Sequence, residues 1–119
     1  MKVNNLVHPE KIHKRVYTDP EIFNIELERI FAVAWIYIGH ESQVKNPGDF
    51  FCTNIARQPV VLTRHRDGKL KVLFNRCAHR GTTVVMSESG NVKNFRCCYH
   101  GWLFDIHGNC LSMPAEPED

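Results

Sequence analysis

Two short segments, each pairing a cysteine with a histidine, constrain this chain more than any other feature of its sequence. They are Cys77-Ala78-His79-Arg80-Gly81 and Cys97-Cys98-Tyr99-His100-Gly101-Trp102, with 17 residues between His79 and Cys97. Each segment follows a predicted strand and contains a glycine, which is typical of a tight loop. A thiolate and an imidazole in each loop are ligands that suit a soft or borderline metal ion. The sequence therefore predicts a metal centre held between two loops.

The distribution of these ligands between the loops bears on the kind of metal centre. A tetrahedral zinc site more often takes two cysteines from one turn and two histidines from another. In a [2Fe–2S] cluster with one Cys₂ iron and one His₂ iron, each loop gives its cysteine to one iron and its histidine to the other. The spacings C-x-H and C-x-x-H favour this cluster, and a zinc site remains the alternative. The predicted ligands are Cys77, His79, Cys97 and His100.

Length, composition and charge exclude several classes of function. The chain has 119 residues, 43% of them hydrophobic, which is enough for one modest core. Fifteen Lys and Arg against 13 Asp and Glu give a net charge of +2, so we expect no nucleic-acid partner. The longest apolar run, Ile30 to Ile38, has nine residues and is too short to span a bilayer. Because residues 1–10 contain no signal-peptide stretch either, we expect a soluble cytoplasmic protein with no membrane partner.

The N-terminal third is predicted to be an arm followed by a helix. Residues 1–15 are polar and are expected to be extended. A helix start follows, either with Asp19 as the cap and Pro20 at the first helical position, or with a capping box between Thr18 and Glu21. Apolar residues then recur on one helical face, which is expected to cover one side of a core. They are Phe23, Leu27, Ile30, Phe31 and Ala34.

From Trp35 onward the apolar period changes to two, which is typical of antiparallel strands. Asp67-Gly68 lies between two strand patterns and is a strong hairpin signal. On the second arm Leu70, Val72 and Phe74 share one face. Turns are predicted at 46–49, 89–91 and 107–109. The predicted strands are Trp35–Ile38, Phe50–Ile55, Val60–His65, Lys69–Asn75, Thr82–Met86, Val92–Arg96, Trp102–Asp105 and Cys110–Ser112.

The other cysteines and histidines are weaker ligand candidates. Cys98 is expected to point away from the metal centre, while Cys52 and Cys110 are expected to be small buried hydrophobes. An odd total of five cysteines makes a disulfide framework a poor interpretation. A mononuclear non-haem iron site needs two histidines and a carboxylate, and no remaining His/Asp pair has a convincing setting. The other histidines are expected at the surface: His8, His13, His40, His65 and His107.

The two loops resemble the Rieske motif of aromatic-ring-hydroxylating oxygenase large (alpha) subunits. The resemblance covers roughly residues 16 to 114. Within the family, the sequence is most similar in kind to benzoate, anthranilate and salicylate hydroxylases. The matching segments outside the loops are Tyr17-Thr18-Asp19-Pro20, Glu28-Arg29-Ile30-Phe31, Trp35, Gly39-His40-Glu41-Ser42, Pro47-Gly48-Asp49-Phe50, Phe104-Asp105-x-x-Gly108 and Pro114.

This resemblance implies a mainly β fold, a Rieske-type antiparallel β-sandwich with an N-terminal helix. Residues 1–34 would form the arm and the helix. Residues 35–119 would form the Rieske [2Fe–2S] domain, which can end before the last strands that such a domain usually has. Cys77 and Cys97 would hold the buried iron, and His79 and His100 the outer iron that takes the electron. The residues expected to support the loops are Arg80, Gly81, Gly101 and Trp102.

The function implied is that of an oxidoreductase component. The cluster would relay electrons from a reductase or ferredoxin to a mononuclear Fe(II) site for aromatic hydroxylation. In the family that iron lies in a longer catalytic domain, on a neighbouring subunit of a trimer that in some members includes a small subunit. We expect the chain to be truncated before that domain, to lack the mononuclear site, and to contain no catalytic residue. A stand-alone Rieske ferredoxin is the alternative, against which the helical lead-in argues, and a zinc-stabilised module that binds a protein partner is the third.

The resemblance also implies a low reduction potential. High-potential Rieske proteins carry an extra cysteine in each loop, joined as a disulfide, and a serine after the His-Gly of the second loop. The corresponding positions here are Thr82, Tyr99 and Trp102.

Overall fold

The computed structural model describes residues 3–114, and the chain divides into two compact units, Met1–Tyr37 and Ile38–Asp119. After a 3₁₀ turn at Val3–Leu6, the first unit forms a small hairpin from β1 (Val7–His8) and β2 (Lys11–Ile12). The predicted extended arm is therefore wrong. Pro9-Glu10 closes the hairpin, and a proline at the first central position of a turn favours chain reversal.

The predicted helix start at Asp19 is confirmed. After a single helical turn, α1 (Arg15–Thr18), the helix α2 (Pro20–Glu26) begins with a proline in its first turn. The carboxylate of Asp19 accepts a hydrogen bond of 3.0 Å from the backbone N–H of Glu21. Asp19 is thus the cap, rather than a capping box from the preceding threonine.

The apolar stripe of this helix is less covered than expected. The helical path continues beyond α2 as a π-helical segment, Leu27–Phe31. Ile22 is buried, whereas Phe23 and Ile30 on the predicted face are 40% and 49% exposed. Leu27 and Phe31 on the same face are half-buried, so this face is only partly covered.

The second unit is built from two antiparallel sheets, which confirms the predicted mainly β class. One sheet has the strand order β5-β4-β3-β6 and the other β7-β8-β9. A 3₁₀ turn at Glu41–Gln43 precedes the strands. The strands are β3 (Asp49–Ile55), β4 (Gln58–Arg64), β5 (Leu70–Phe74), β6 (Ser89–Asn91), β7 (Asn94–Arg96), β8 (Leu103–Asp105) and β9 (Cys110–Ser112).

Aromatic and aliphatic side chains from both sheets form the core. The buried cluster comprises Phe50, Val61, Phe95 and Ile106. The rings of Phe50 and Phe95 meet edge to face with centroids 5.6 Å apart at 79°. Because Phe50 lies on β3 and Phe95 on β7, this contact joins the two sheets.

The apolar pattern of strand β5 indicated one buried face, but the opposite face packs on the core. Leu70, Val72 and Phe74 are 38%, 47% and 71% exposed. Leu73, which points to the other face, packs against the core. The hairpin itself is confirmed, since Arg64 on β4 pairs with Leu70 on β5 across the predicted turn.

Three local predictions are wrong. Residues 35–38 and 82–86 form no strand, and Trp35 is fully exposed. The predicted turn at 89–91 is strand β6, which pairs with β3. No helix in residues 3–114 is long and apolar enough to cross a membrane.

Candidate metal centre

The two cysteine–histidine loops have the same backbone hydrogen-bond frame. In each, the cysteine N–H donates to the carbonyl five residues later, and the glycine N–H donates back to the cysteine carbonyl. In the first loop these N···O distances are 2.7 Å (Cys77 to Thr82) and 2.8 Å (Gly81 to Cys77), and in the second 2.9 Å (Cys97 to Trp102) and 3.0 Å (Gly101 to Cys97). The glycines have φ of +74° and +75°, a conformation that L side chains rarely adopt.

Within this shared frame the two histidines occupy different positions. The cysteine and the glycine occupy the first and fifth positions in both loops, whereas His79 is third and His100 is fourth. The first loop follows β5, and the second connects β7 to β8. Each sheet therefore supplies one cysteine and one histidine to the site.

The cysteines form the buried side of the site. Cys77 is 4% exposed and Cys97 is 2% exposed. Burial raises the pKa of the Cys77 thiol, the backbone N–H of His79 partly offsets this, and the neighbouring Cys97 thiol raises the pKa again. A metal that binds here as a thiolate complex must displace these protons.

The histidines form the more open side. The rings of His79 and His100 are edge to face, with centroids 4.8 Å apart. The indole of Trp102 stacks on His79 at 4.8 Å and 9°, and the ring of Tyr99 lies 3.8 Å from that of His100. Both imidazoles are partly exposed, so one edge of the site is accessible from solvent.

One nitrogen of the site lacks a hydrogen bond. Nδ1 of His100 is buried and has no partner within residues 3–114. Buried polar atoms are nearly always paired, and bonding to a metal would satisfy this nitrogen. Two buried thiols, two adjacent imidazoles and this unpaired nitrogen fit a metal–sulfur group.

The remaining cysteines differ in their surroundings. Cys98 is exposed, unlike its neighbour Cys97. Cys52 is partly buried, and burial raises its pKa. The prediction that Cys110 is buried is wrong, because every residue of the edge strand β9 is exposed.

One constellation was missed by the sequence analysis. His65, Asp67 and His107 each place one potential ligand atom within 4.8 Å of the others. Sequence reasoning placed His65 and His107 at the surface and did not bring them together with Asp67. The available signal was that His65-x-Asp67-Gly68 and Asp105-x-His107-Gly108 are two similar turns, but their proximity depends on sheet packing.

Comparison with known proteins identifies the class. The family profile of the Rieske [2Fe–2S] domain matches residues 34–118, and the chain belongs to this family. Within it, the chain corresponds to the Rieske domain of ring-hydroxylating dioxygenase alpha subunits. This confirms the resemblance seen in the two loops and identifies a [2Fe–2S] cluster as the cofactor of the domain.

The similar curated proteins are much longer than this chain. It is 42% identical over 111 residues to the benzene 1,2-dioxygenase alpha subunit of Pseudomonas putida, covering 93% of this chain and 25% of that protein. It is 42% identical over 118 residues to the biphenyl dioxygenase alpha subunit of Metapseudomonas furukawaii, covering 98% and 26%. The chain thus spans about a quarter of the length of these relatives.

Solved structures agree in fold. Naphthalene 1,2-dioxygenase with indole in its active site superposes with a TM-score of 0.87 at 36% identity, over 96% of this chain and 26% of that one. A quaternary ammonium Rieske monooxygenase superposes with a TM-score of 0.79 at 32% identity, over 89% and 30%.

Proposed function

We propose that Cys77 and Cys97 hold one iron of the [2Fe–2S] cluster and that His79 and His100 hold the other. The observation that carries this assignment is the shared loop frame, which brings one buried thiol and one imidazole from each sheet together. When bound, the cluster supplies one-electron transfer. Cys98 is not a ligand in this assignment, because its side chain is exposed.

The residues around the ligands have supporting roles. Gly81 and Gly101 allow the left-handed turns that close the two loops. Trp102 limits rotation of the His79 ring through its stacked contact. The side chain of Arg96 donates a hydrogen bond of 3.2 Å to the carbonyl of Gly101, which fixes the end of the second loop.

The accessible histidine edge is the proposed route for electrons. Because both cysteines are buried and both histidines are partly exposed, a redox partner can approach the imidazoles more closely than the thiols. The electron donor is a reductase or a ferredoxin, and the acceptor is a mononuclear iron of a ring-hydroxylating oxygenase. In an assembled oxygenase that acceptor lies outside this chain, and homotrimer partners or a small subunit complete the enzyme.

In this proposal, the electrons that the cluster transfers support aromatic-ring hydroxylation. The relatives named above act, by name, on benzene and biphenyl, and a toluate 1,2-dioxygenase alpha subunit of Pseudomonas putida is 40% identical over 100 residues. These sequence identities are nearly equal, so they do not distinguish an aromatic acid from an aromatic hydrocarbon as the substrate. The benzoate-like subgroup stays a prediction.

The assignment is tested by analysing the purified chain for iron and acid-labile sulfide. We expect about two of each per chain and red-brown protein. Colourless protein with one zinc, made under iron-replete conditions, would favour a zinc module and contradict the assignment.

The ligand register is tested by a matched pair of neighbours. Cys97→Ala should prevent cluster assembly and destabilise the domain, because metal binding is coupled to folding. Cys98→Ala should keep both the iron content and the visible spectrum. If Cys98→Ala instead loses the cluster and Cys97→Ala keeps it, the register is wrong.

A further inference from the structure

Two hairpin turns of the second unit share one frame. They are residues 65–69, between β4 and β5, and residues 105–109, between β8 and β9. In each, the first N–H donates to the fifth carbonyl, at 2.9 Å in both turns, and the glycine N–H donates to the first carbonyl, at 2.9 Å and 3.0 Å. Asp67 and His107 therefore occupy the same third position, and His65 is the first residue of its turn.

Buried contacts hold these two turns against each other. The hydroxyl of Thr63 donates a 2.9 Å hydrogen bond to the carbonyl of Ile106, and both residues are buried. Leu73 packs so closely on Gly108 that an added Cβ would lie 3.0 Å from its Cδ2. The approach of His65 to His107 is thus set by the packing of the two sheets.

The side chains converge at the surface of this junction. The rings of His65 and His107 have centroids 3.4 Å apart, tilted by 37°. Nδ1 of His65 lies 3.1 Å from Oδ1 of Asp67. One ring nitrogen of each histidine and one carboxylate oxygen of Asp67 lie within 4.8 Å of one another, so the three side chains are placed to share one ion.

We propose that His65, Asp67 and His107 form a binding site for a divalent transition-metal ion, for which Zn²⁺ is a suitable redox-inactive probe. Two imidazoles and a carboxylate favour zinc over Mg²⁺ or Ca²⁺, which prefer oxygen ligands alone. Three protein ligands leave at least one position for water. The site goes beyond the electron-transfer function and does not depend on it.

The neighbouring charges are compatible with this site. The ammonium of Lys69 lies 3.8 Å from Oδ2 of Asp67, but it is 74% exposed, so the ion pair is weak and easily displaced. The carboxylate of Asp105 accepts hydrogen bonds from the N–H of His107 and from Asn109, so it orients its own turn. His65 and Asp67 are 23% and 41% exposed, and each accepts one backbone hydrogen bond within the turn, His65 Nδ1 from the N–H of Asp67 and Asp67 Oδ1 from that of Lys69. Small rotations that exchange these bonds for bonds to the ion would give zinc–ligand distances of about 2.0–2.2 Å.

The connectivity places this site away from the cluster loops. The His65 turn precedes β5 and the first cluster loop follows it, while the second cluster loop precedes β8 and the His107 turn follows it. The two sites therefore lie at opposite ends of both strands, and a bound zinc would link the same two sheets at the far end from the cluster.

The site is tested by zinc binding to the cluster-loaded chain. All proteins carry Cys98→Ser and Cys110→Ser, which remove the exposed thiols that compete for zinc. Equilibrium dialysis followed by elemental analysis measures zinc and iron in the same sample. We expect one zinc per chain, unchanged iron content, and a Tm that rises with zinc concentration, because the ion binds the folded state.

Variants assign the ligands. His107→Ala and Asp67→Asn should each weaken zinc binding by about tenfold or more, and should remove the zinc-dependent rise in Tm. His40→Ala, which removes an exposed histidine outside the site, should change neither. Absence of binding at millimolar zinc, or equal binding by His107→Ala and the parent protein, would overturn the proposal.

Discussion

The amide of Asn75 makes three hydrogen bonds to the segment that follows the first cluster loop. Its Oδ1 accepts from the backbone N–H groups of Val84 and Val85 at 3.1 Å and 2.8 Å, and its Nδ2 donates to the Val85 carbonyl at 2.8 Å. Asn75 is only 4% exposed. The side chain thereby satisfies backbone groups that a neighbouring strand would otherwise pair, which explains why residues 82–86 are not a strand.

Asn75→Ala should therefore be costly. It leaves two N–H groups and one carbonyl without this partner, and we expect a loss of about 2–4 kcal/mol in the free energy of unfolding. Urea denaturation of the cluster-loaded chain, followed by circular dichroism, measures the loss. Asn54→Ala is the matched control, because Asn54 is exposed on β3 and should change stability by less than about 0.5 kcal/mol. Equal effects of the two substitutions would contradict this role.

At the scale of secondary structure, the sequence predicts elements well where one local signal decides them. The Asp67-Gly68 hairpin and the Asp19 cap are both found as predicted. Strand β6 was missed because Ser89-Gly90-Asn91 has turn composition, and its pairing with β3 is a tertiary contact. The buried face of β5 was missed because both of its faces carry apolar residues, and only the packing partner selects Leu73.

In the candidate metal centre, too, local sequence predicts some features, whereas others depend on tertiary packing. Spacing and residue type were sufficient to single out Cys77, His79, Cys97 and His100 as ligand candidates, since each loop is continuous in sequence, and their assignment as ligands stays a prediction. The common loop frame was not predictable, because it depends on φ angles and hydrogen bonds. The approach of His65 to His107 requires packing between two sheets, which no local pattern encodes.

Two glycines of the second unit are required for different physical reasons. Gly81 has φ of +74° with open space around its missing side chain, so its constraint is backbone conformation alone. Gly90 pairs with Phe50 across β3 and β6, and an added Cβ would lie 2.9 Å from that buried ring. The same substitution should therefore destabilise through strain at one position and through overpacking at the other.

We expect Gly81→Ala to cost about 1–2 kcal/mol and Gly90→Ala about 1–3 kcal/mol in the free energy of unfolding. Gly81→Asn should recover part of the first loss, because asparagine tolerates the left-handed conformation. Phe50→Leu should reduce the added cost of Gly90→Ala in a double-mutant cycle, because it removes the colliding ring. Urea denaturation measures all of these variants. Full additivity of Phe50→Leu and Gly90→Ala would contradict the collision.

For the whole molecule, the two sheets and their loops define how the cluster is held. Each sheet contributes one loop, and the contact between Phe50 and Phe95 fixes the sheets relative to each other. Cluster assembly therefore depends on the packing of the core, and the bound cluster in turn stabilises the contact between the two sheets. The same arrangement sets which hydrogen-bond donors surround the cluster, and these donors tune its reduction potential.

The loops lack the features that accompany a high potential. All five cysteines are free, so no disulfide joins the loops. The position after His100-Gly101 is Trp102, which has no hydroxyl group and stacks on His79. Tyr99 carries a phenol but is 57% exposed, so its hydroxyl can bond to water. Neither the disulfide nor the serine hydroxyl is therefore available to stabilise the added electron.

We therefore predict a midpoint potential near the lower end of the Rieske range, between roughly −150 and −50 mV at neutral pH. Such a potential suits a cluster reduced by a nicotinamide-linked reductase rather than by a quinol. Protein-film voltammetry of the cluster-loaded chain measures it. Tyr99→Phe is the control and should leave the midpoint unchanged, because the exposed phenol is not expected to act on the cluster. A midpoint above zero, or a clear fall after Tyr99→Phe, would show that donors near the second loop outweigh the missing disulfide and serine.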